Sequence, residues 1–356
     1  MTEVNKGRYC SAREAAAMLG VTRATLYAYV SRGLLRSEEA PGKTRAKRYL
    51  VTDVEALLRR KAGRQNPEQV AEEALSWGMP VLESAITLID DGQIYYRGVG
   101  LMAVVANYTV EETAVLLWLG PEPEPELSAD KLFAQEMPVL PAELLSADWL
   151  AGLTPVERFQ TLLPLAGAQD YAAYDLRPAA VARTGARILK LLVAIVTGRA
   201  PDGDSLVAHL ATHWAGARPE AAGRPEAAAR PEAAELLHLA LVLSADHELN
   251  ASSFTARVVA GTQSTPYNAV LGGLAALRGA RHGGYAERVE ALWREVGAAE
   301  RAEGVLAARL KRGEEIPGFT HPLYPEGDPR GRALLAAAAR TWPDDEGVGR
   351  LVAMAT

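Results

Sequence analysis

The sequence predicts a mainly α-helical protein in two unequal parts, a small basic head and a larger acidic body carrying one β-hairpin. Three observations predict it. Alanine is abundant and aromatics make up only 6% of the 356 residues, a composition that favours helices over sheets. Ala/Leu-rich segments long enough for helices recur through the second half, whereas strand-like alternation is confined to a short stretch around Asp91-Gly92. The charge also divides. Residues 1–61 hold thirteen Lys and Arg against six Asp and Glu, and the remainder holds 25 against 38, so a net −6 separates into +7 and −13. Such asymmetry predicts different partners for the two parts.

The chain is long enough for two or more domains with sizeable cores. Apolar residues at 49% and charged residues at 23% are ordinary for a soluble globular protein. No uncharged apolar run reaches the roughly 18 residues a membrane span requires, and the first twenty residues hold no signal-peptide apolar region. The single cysteine, Cys10, excludes an intrachain disulfide and a Cys-rich metal site. A cytoplasmic protein without contact to membranes is expected.

In the head, Ser11-Ala12-Arg13-Glu14 has the spacing of a capping box. Ala15, Ala16, Leu19 and Val21 follow as an apolar face, Gly20 breaks the helix, and Thr22 can cap a second helix that turns Leu26, Tyr29 and Val30 inward. Two short helices joined through a glycine turn form a helix-turn-helix pattern. Arg23, Thr25 and Tyr27 would face outward, toward a major groove if DNA is bound. The turn Pro41-Gly42-Lys43-Thr44-Arg45-Ala46-Lys47-Arg48-Tyr49 leads into a strand and would lay Lys43, Arg45, Lys47 and Arg48 along phosphates. Thr52-Asp53-Val54-Glu55 opens another helix, ending at Arg59-Arg60-Lys61. The first sixty residues resemble the winged helix-turn-helix of MerR-like and excisionase-like DNA binders. The blander reading is a helical docking domain whose basic residues form a solvated face.

Ala62-Gly63-Arg64-Gln65-Asn66-Pro67 reads as a domain boundary. From Val81 the pattern alternates about Asp91-Gly92, predicting the hairpin. Val110 to Gly120 then reads as an amphipathic helix with a glycine stop, and 178–198, 232–243, 266–278 and 285–297 read as further helices. Residues 217–234 repeat a six-residue unit three times, ARPEAA, GRPEAA, ARPEAA. A unit this short cannot stack into a solenoid with its own core, so an expanded surface loop is expected.

Three of the six histidines lie in blocks of small or turn-forming residues: Ala245-Asp246-His247-Glu248-Leu249-Asn250, Gly279-Ala280-Arg281-His282-Gly283-Gly284, and Gly318-Phe319-Thr320-His321. Imidazoles presented this way suit carbonyl polarisation and proton transfer near neutral pH. They do not suit zinc, because Pro and Gly neighbours give neither helix pairing nor tight ligand spacing; no metal is expected. His209, His213 and His238 match no block and are read as structural.

Taken in order, the hairpin with Tyr96-Arg97-Gly98, then ADHELNASSFTARVVAGTQSTPYNAV, then RHGGY, then IPGFTHPLYPEGDPR resemble the citrate synthase family from about Val81 onward. The resemblance implies an all-α body that condenses acetyl-CoA, or another short acyl-CoA, with oxaloacetate to give citrate and CoA. It implies a homodimer, and no cofactor beyond CoA as substrate and product. It places His282 at the thioester oxygen and His321 at the oxo-acid carbonyl as the catalytic pair. It places His247 and Arg330, the latter in Asp328-Pro329-Arg330, on the substrate's carboxylates, where a guanidinium can make two parallel bonds.

Two departures stand out. Pro322 follows His321 where many family members have Arg. The family's catalytic Asp lies in an Asn-Val-Asp-type segment well beyond the His321 block, but only 26 residues follow Arg330 here, and Asp344 and Asp345 are the only later aspartates. The expected organisation is therefore a DNA-binding winged helix-turn-helix at 1–63, a lead-in at 64–80, a large domain at 81–283, and an incomplete small domain at 284–356. An alternative makes the body a sensor of acyl-CoA or oxo acid that reports to DNA through the head.

Overall fold

The structure, a computed structural model, describes residues 9–31, 35–39, 47–51, 53–54, 57–58, 84–90, 92–137, 140, 144, 150, 152–201, 203, 205–213, 231–319, 323–324 and 327–356. The chain divides into two compact units, Met1–Glu83 and Ser84–Thr356.

In the first unit, β1 (Tyr9–Ser11) runs directly into α1 (Ala12–Leu19), followed by α2 (Arg23–Ser31), β2 (Ser37–Glu39) and β3 (Lys47–Leu50). The capping box forms: Ser11 Oγ accepts from Glu14 N, and the Glu14 carboxylate accepts from Ser11 N at 2.8 Å. Gly20 ends α1 with φ 59°, a left-handed conformation that glycine adopts without a Cβ penalty. Thr22 Oγ1 accepts from Thr25 N at 3.2 Å and so caps α2. The strands pair antiparallel in the order β1-β3-β2. Ala15, Ala16, Leu19, Leu26, Leu35, Tyr49 and Val54 close a small core between helices and sheet, with Tyr29 and Val30 packed against it. The boundary segment 62–67 and the wing tip with Lys43 and Arg45 lie outside the described residues.

The second unit opens with β4 (Thr87–Asp90), β5 (Gln93–Tyr96) and β6 (Val99–Gly100), an antiparallel meander. Asp90 pairs with Gln93 across its first turn, where the alternation predicts a hairpin, and Gly92 there has φ 72°. A second two-residue turn, Arg97-Gly98, has φ 49° and 85°, both positive, as the tightest hairpins require. Arg97 tolerates this because its guanidinium donates to the Leu117 carbonyl at 3.0 and 2.8 Å while its own N–H reaches the Ile86 carbonyl.

Helices follow almost without interruption: α3 (Leu101–Asn107), α4 (Val110–Leu119), α5 (Ala129–Phe133), α6 (Pro155–Gln169), α7 (Pro178–Thr197), α8 (Leu206–His213), α9 (Pro231–Leu243), α10 (Ala251–Gly261), α11 (Pro266–Leu277), α12 (Tyr285–Val296), α13 (Ala302–Lys311), α14 (Pro329–Thr341) and α15 (Glu346–Ala355). The tandem repeat lies outside the described residues up to Arg230, and its last Pro-Glu-Ala-Ala opens α9.

Three apolar clusters order these helices. Leu162, Leu163, Ile188, Leu191, Ile195 and Tyr267 join α6, α7 and α11. Ile94, Tyr96, Val104, Leu116, Leu243 and Tyr324 join the meander to α3, α4, α9 and the segment before α14. Leu292, Val296, Ala302 and Met354 join α12, α13 and α15. A buried ion pair crosses the first cluster. Asp170 accepts from Arg187 Nε at 2.9 Å and Nη2, and also from Tyr267 Oη at 3.0 Å, while Thr184 Oγ1 takes a further Arg187 hydrogen at 3.0 Å. The Asp170 and Arg187 side chains are 7% and 12% exposed, so every charge-bearing atom needs these partners.

Candidate active site

The start of α10 is where His282 is held. Asn250 caps the helix, its Oδ1 accepting from Ser252 N at 3.1 Å and Ser253 N at 3.0 Å. Ser252 Oγ lies 2.8 Å from the same Oδ1 and 2.9 Å from His282 Nε2. His282 is presented by a tight turn after α11, with His282 N bonded to Gly279 O and Gly284 N to Leu277 O. Only glycine fits there. A Cβ on Gly283 would stand 2.6 Å from the Leu277 carbonyl oxygen, and one on Gly284 2.7 Å from that of Arg278. Partial burial lowers the His282 pKa below its ordinary value, so the imidazole is neutral at pH 7.

His247 sits five residues before Ser252 on the stretch between α9 and α10, and this stretch is pinned to the meander from three sides. Thr87 Oγ1 donates to Asp246 Oδ2 at 2.5 Å. Ile89 N donates to Glu248 Oε1 at 2.8 Å. The Tyr96 hydroxyl, fully buried, lies 3.1 to 3.3 Å from the carbonyls of Val242, Leu243 and Asp246. Glu248 takes φ 54°, a strained value for a residue with a Cβ, held by these contacts. His247 Nε2 lies 2.6 Å from the hydroxyl of Tyr324.

Arg330 stands in the first turn of α14. Asp328 caps that helix by accepting from Arg330 N at 2.9 Å and holds the guanidinium through Nε at 3.0 Å and Nη2 at 2.6 Å. Arg330 also lies over the Tyr324 ring, 5.7 Å from its centre. A cavity of about 200 Å³ opens beside it, lined by Gln93, Tyr95, Met102, Leu243 and Arg330 among others. His247 and Arg330 thus meet through Tyr324, and His282 meets Ser252 five residues further along the stretch that carries His247.

His321 lies outside the described residues, as do Thr320 and Pro322. The block leading to it is fixed on α12: Glu315 accepts from Tyr285 Oη at 2.7 Å and from Arg288 at 3.1 Å. Asp345 spends its carboxylate capping α15 through Val348 N, and Asp344 is exposed. Ser252, Asn250, Asp246, Thr87 and Tyr324 were not singled out by sequence. Ser252 and Asn250 had a visible signal, the Asn-Ala-Ser-Ser run of a helix start. Among the described residues no three of His, Cys, Asp or Glu group as metal ligands would.

On the head, Arg23 and Tyr27 are exposed on α2, while Thr25 is half-buried with its hydroxyl 2.9 Å from Thr22 Oγ1. Lys47 is exposed. Arg48 is occupied, ion-paired to Glu38 at 2.5 Å and lying over the Tyr9 ring at 4.4 Å.

A helical body that opens with a small meander and presents His282 from a glycine-rich turn fits a class of mainly α transferases. Comparison places it within that class. Residues 74–356 match the model for "Citrate synthase, C-terminal domain", and 9–62 match "Helix-turn-helix domain". Citrate synthase 2 of Bacillus subtilis is 31% identical over 279 residues, covering 74% of this chain and 72% of that one. A 2-methylcitrate synthase of Mycobacterium tuberculosis is 31% identical over 283 residues, covering 74% and 68%. The crystal structure of citrate synthase from Thermotoga maritima aligns with a TM-score of 0.58 and 26% identity, over 78% of this chain and 75% of that one. The chain belongs to the citrate synthase family. Among the described residues no helix is long and apolar enough to cross a membrane.

Proposed function

We propose that the body condenses a short acyl-CoA with a 2-oxo acid, first of all acetyl-CoA with oxaloacetate, to give citrate and CoA. The observation that carries this reading is His282, its pKa lowered by burial, held by Ser252 at the start of α10 on the stretch that also carries His247, which meets Arg330 through Tyr324. Removing a proton from the thioester methyl group puts negative charge on the thioester oxygen. A neutral imidazole can donate to that oxygen and need not itself carry charge. Ser252 gives its one hydroxyl proton to Asn250 Oδ1 as the structure stands, so the role requires that hydroxyl to turn to His282 Nε2, which then leaves the imidazole proton on Nδ1 as the donor. His321 would polarise the ketone under attack, and His247 and Arg330 would hold the oxo acid's carboxylates. No resident cofactor is needed, since CoA arrives and leaves with the substrate.

The methyl proton needs a positioned carboxylate; Asp345 caps α15 and Asp344 is exposed. Without such a base roughly 10²–10⁴-fold in rate is lost. A thiol-release assay with acetyl-CoA or propionyl-CoA and oxaloacetate decides. Thiol release that falls in His282→Ala supports the reading, and no release with either acyl-CoA would refute the condensation.

The reading includes a cytoplasmic homodimer. Residues of α10 are all at least partly exposed despite its apolar sequence, with Val258 54% exposed, which suits a subunit contact through large-domain helices. Light scattering should return twice the chain mass, reduced by Val258→Glu.

A second reading is favoured by the helix-turn-helix match: the head binds DNA through Arg23, Tyr27 and Lys47, with Lys43 and Arg45 on the wing. Gel-shift affinity should then fall steeply with salt. Absence of salt-sensitive binding to any duplex removes this reading and leaves a docking domain.

A further inference from the structure

We propose that Tyr324 is a positioning residue for the oxo acid, one phenol that sets the orientation of both His247 and Arg330. The inference rests on the condensation reading and adds a residue to it that carries no role there.

Tyr324 lies between the His321 block and α14. It is 4% exposed, packed in the cluster with Tyr96, Leu243 and Ala333. A ring so enclosed cannot swing, so its two polar contacts are fixed in space. The hydroxyl meets His247 Nε2 at 2.6 Å, with ring centres 5.6 Å apart and planes tilted by 57°, so the contact is an edge hydrogen bond and not a stack. Burial pushes the phenol up to about 12, so it keeps its proton across the working range and adds no charge of its own beside the substrate.

On the ring's face stands the guanidinium of Arg330, 5.7 Å from the centre, within the distance at which a cation is attracted to an aromatic face. Asp328 takes the Nε and Nη2 edge of the same guanidinium. Arg330 is therefore tethered along one edge by Asp328 and over one face by Tyr324. A site that must present an imidazole and a guanidinium to one small dianion needs both held within about 10–20° of the productive geometry. Tyr324 touches both.

A merely structural Tyr324 would matter to packing and not to which ligand is recognised. Tyr324→Phe keeps the ring and its face but deletes the hydroxyl. In the full-length chain, calorimetric titration with oxaloacetate should show affinity falling about 5- to 150-fold, the range for a buried hydrogen bond whose partner is left unpaired. CoA affinity should not change. In a His247→Ala background Tyr324→Phe should have no further effect, because the two act through one contact. Tyr324→Leu, which also removes the aromatic face, should weaken oxaloacetate more than Tyr324→Phe. The His247 Nε2 resonance in nitrogen-15 spectra should move in Tyr324→Phe without ligand.

Unchanged oxaloacetate affinity in Tyr324→Phe, or the same loss with and without His247, overturns the proposal. If the parent chain binds no 2-oxo acid, the condensation reading falls first. The His247 resonance then judges Tyr324 separately, and an unmoved signal overturns the positioning role as well.

Discussion

His282 shows what a single residue owes to its neighbours. Its imidazole is of use to enolate chemistry only while neutral, and burial keeps it so by lowering its pKa beneath the ordinary 6.5. Two outcomes follow with definite sign. The kcat/KM for condensation should rise with pH, with a midpoint below the ordinary imidazole value, as His282 loses its proton. Stability should move the same way: just below pH 6.5 the unfolded chain binds the proton more readily, so stability falls as pH drops and levels off below the folded pKa. A pH–rate profile and thermal melts across the same range check both. His282→Ala should cost roughly 10²–10³ in kcat, and Ser252→Ala about tenfold, the worth of one hydrogen bond, measured by the same thiol release. The histidine was legible because Gly283 and Gly284 announce a turn built to present it. Ser252, Tyr324 and Asp246 were far less so, since each acts through a contact with a residue distant in the chain, and no local pattern encodes such a meeting.

At the scale of elements, the meander works as a platform for the stretch that carries His247. Thr87, Ile89 and Tyr96 each hold a different atom group of residues 242–248. Thr87→Val keeps the shape but removes the donor from a buried carboxylate, and should lower stability by about 1–3 kcal/mol, read by denaturant unfolding. Burial already raises the Asp246 pKa, so losing that donor should raise it further. Gly284→Ala should cost a similar 1–3 kcal/mol, because its methyl would press on the backbone of Arg278 and Gly279; a melting curve decides. The first turn of the meander was readable from Asp91-Gly92, and the helices at 178–197, 231–243, 266–277 and 285–296 from their apolar runs. The third strand was not read, since its turn places Arg97 at a positive φ that few arginines adopt. Nor was α6, which carries Pro164 in its interior, where proline ordinarily argues against a helix.

At the scale of the molecule, opposite charge on head and body was written in the composition, and the two compact units each have a core of their own. The body's largest cluster is crossed by the Asp170–Arg187 pair, which ties α7 to the end of α6 and, through Tyr267, to α11. Arg187→Met leaves a buried carboxylate without its countercharge and should cost about 3–5 kcal/mol in unfolding free energy. Replacing Asp170 together with Arg187 by apolar residues should recover most of that loss, which separates an uncompensated charge from lost packing. The same pair has a thermal corollary. Water solvates ions less favourably as it warms, so the penalty for keeping a carboxylate and a guanidinium dry shrinks on heating, while cohesion from oily contacts levels off. The body should accordingly lean on this one bridge most heavily near its melting point, where a charge-free substitute would compare worst.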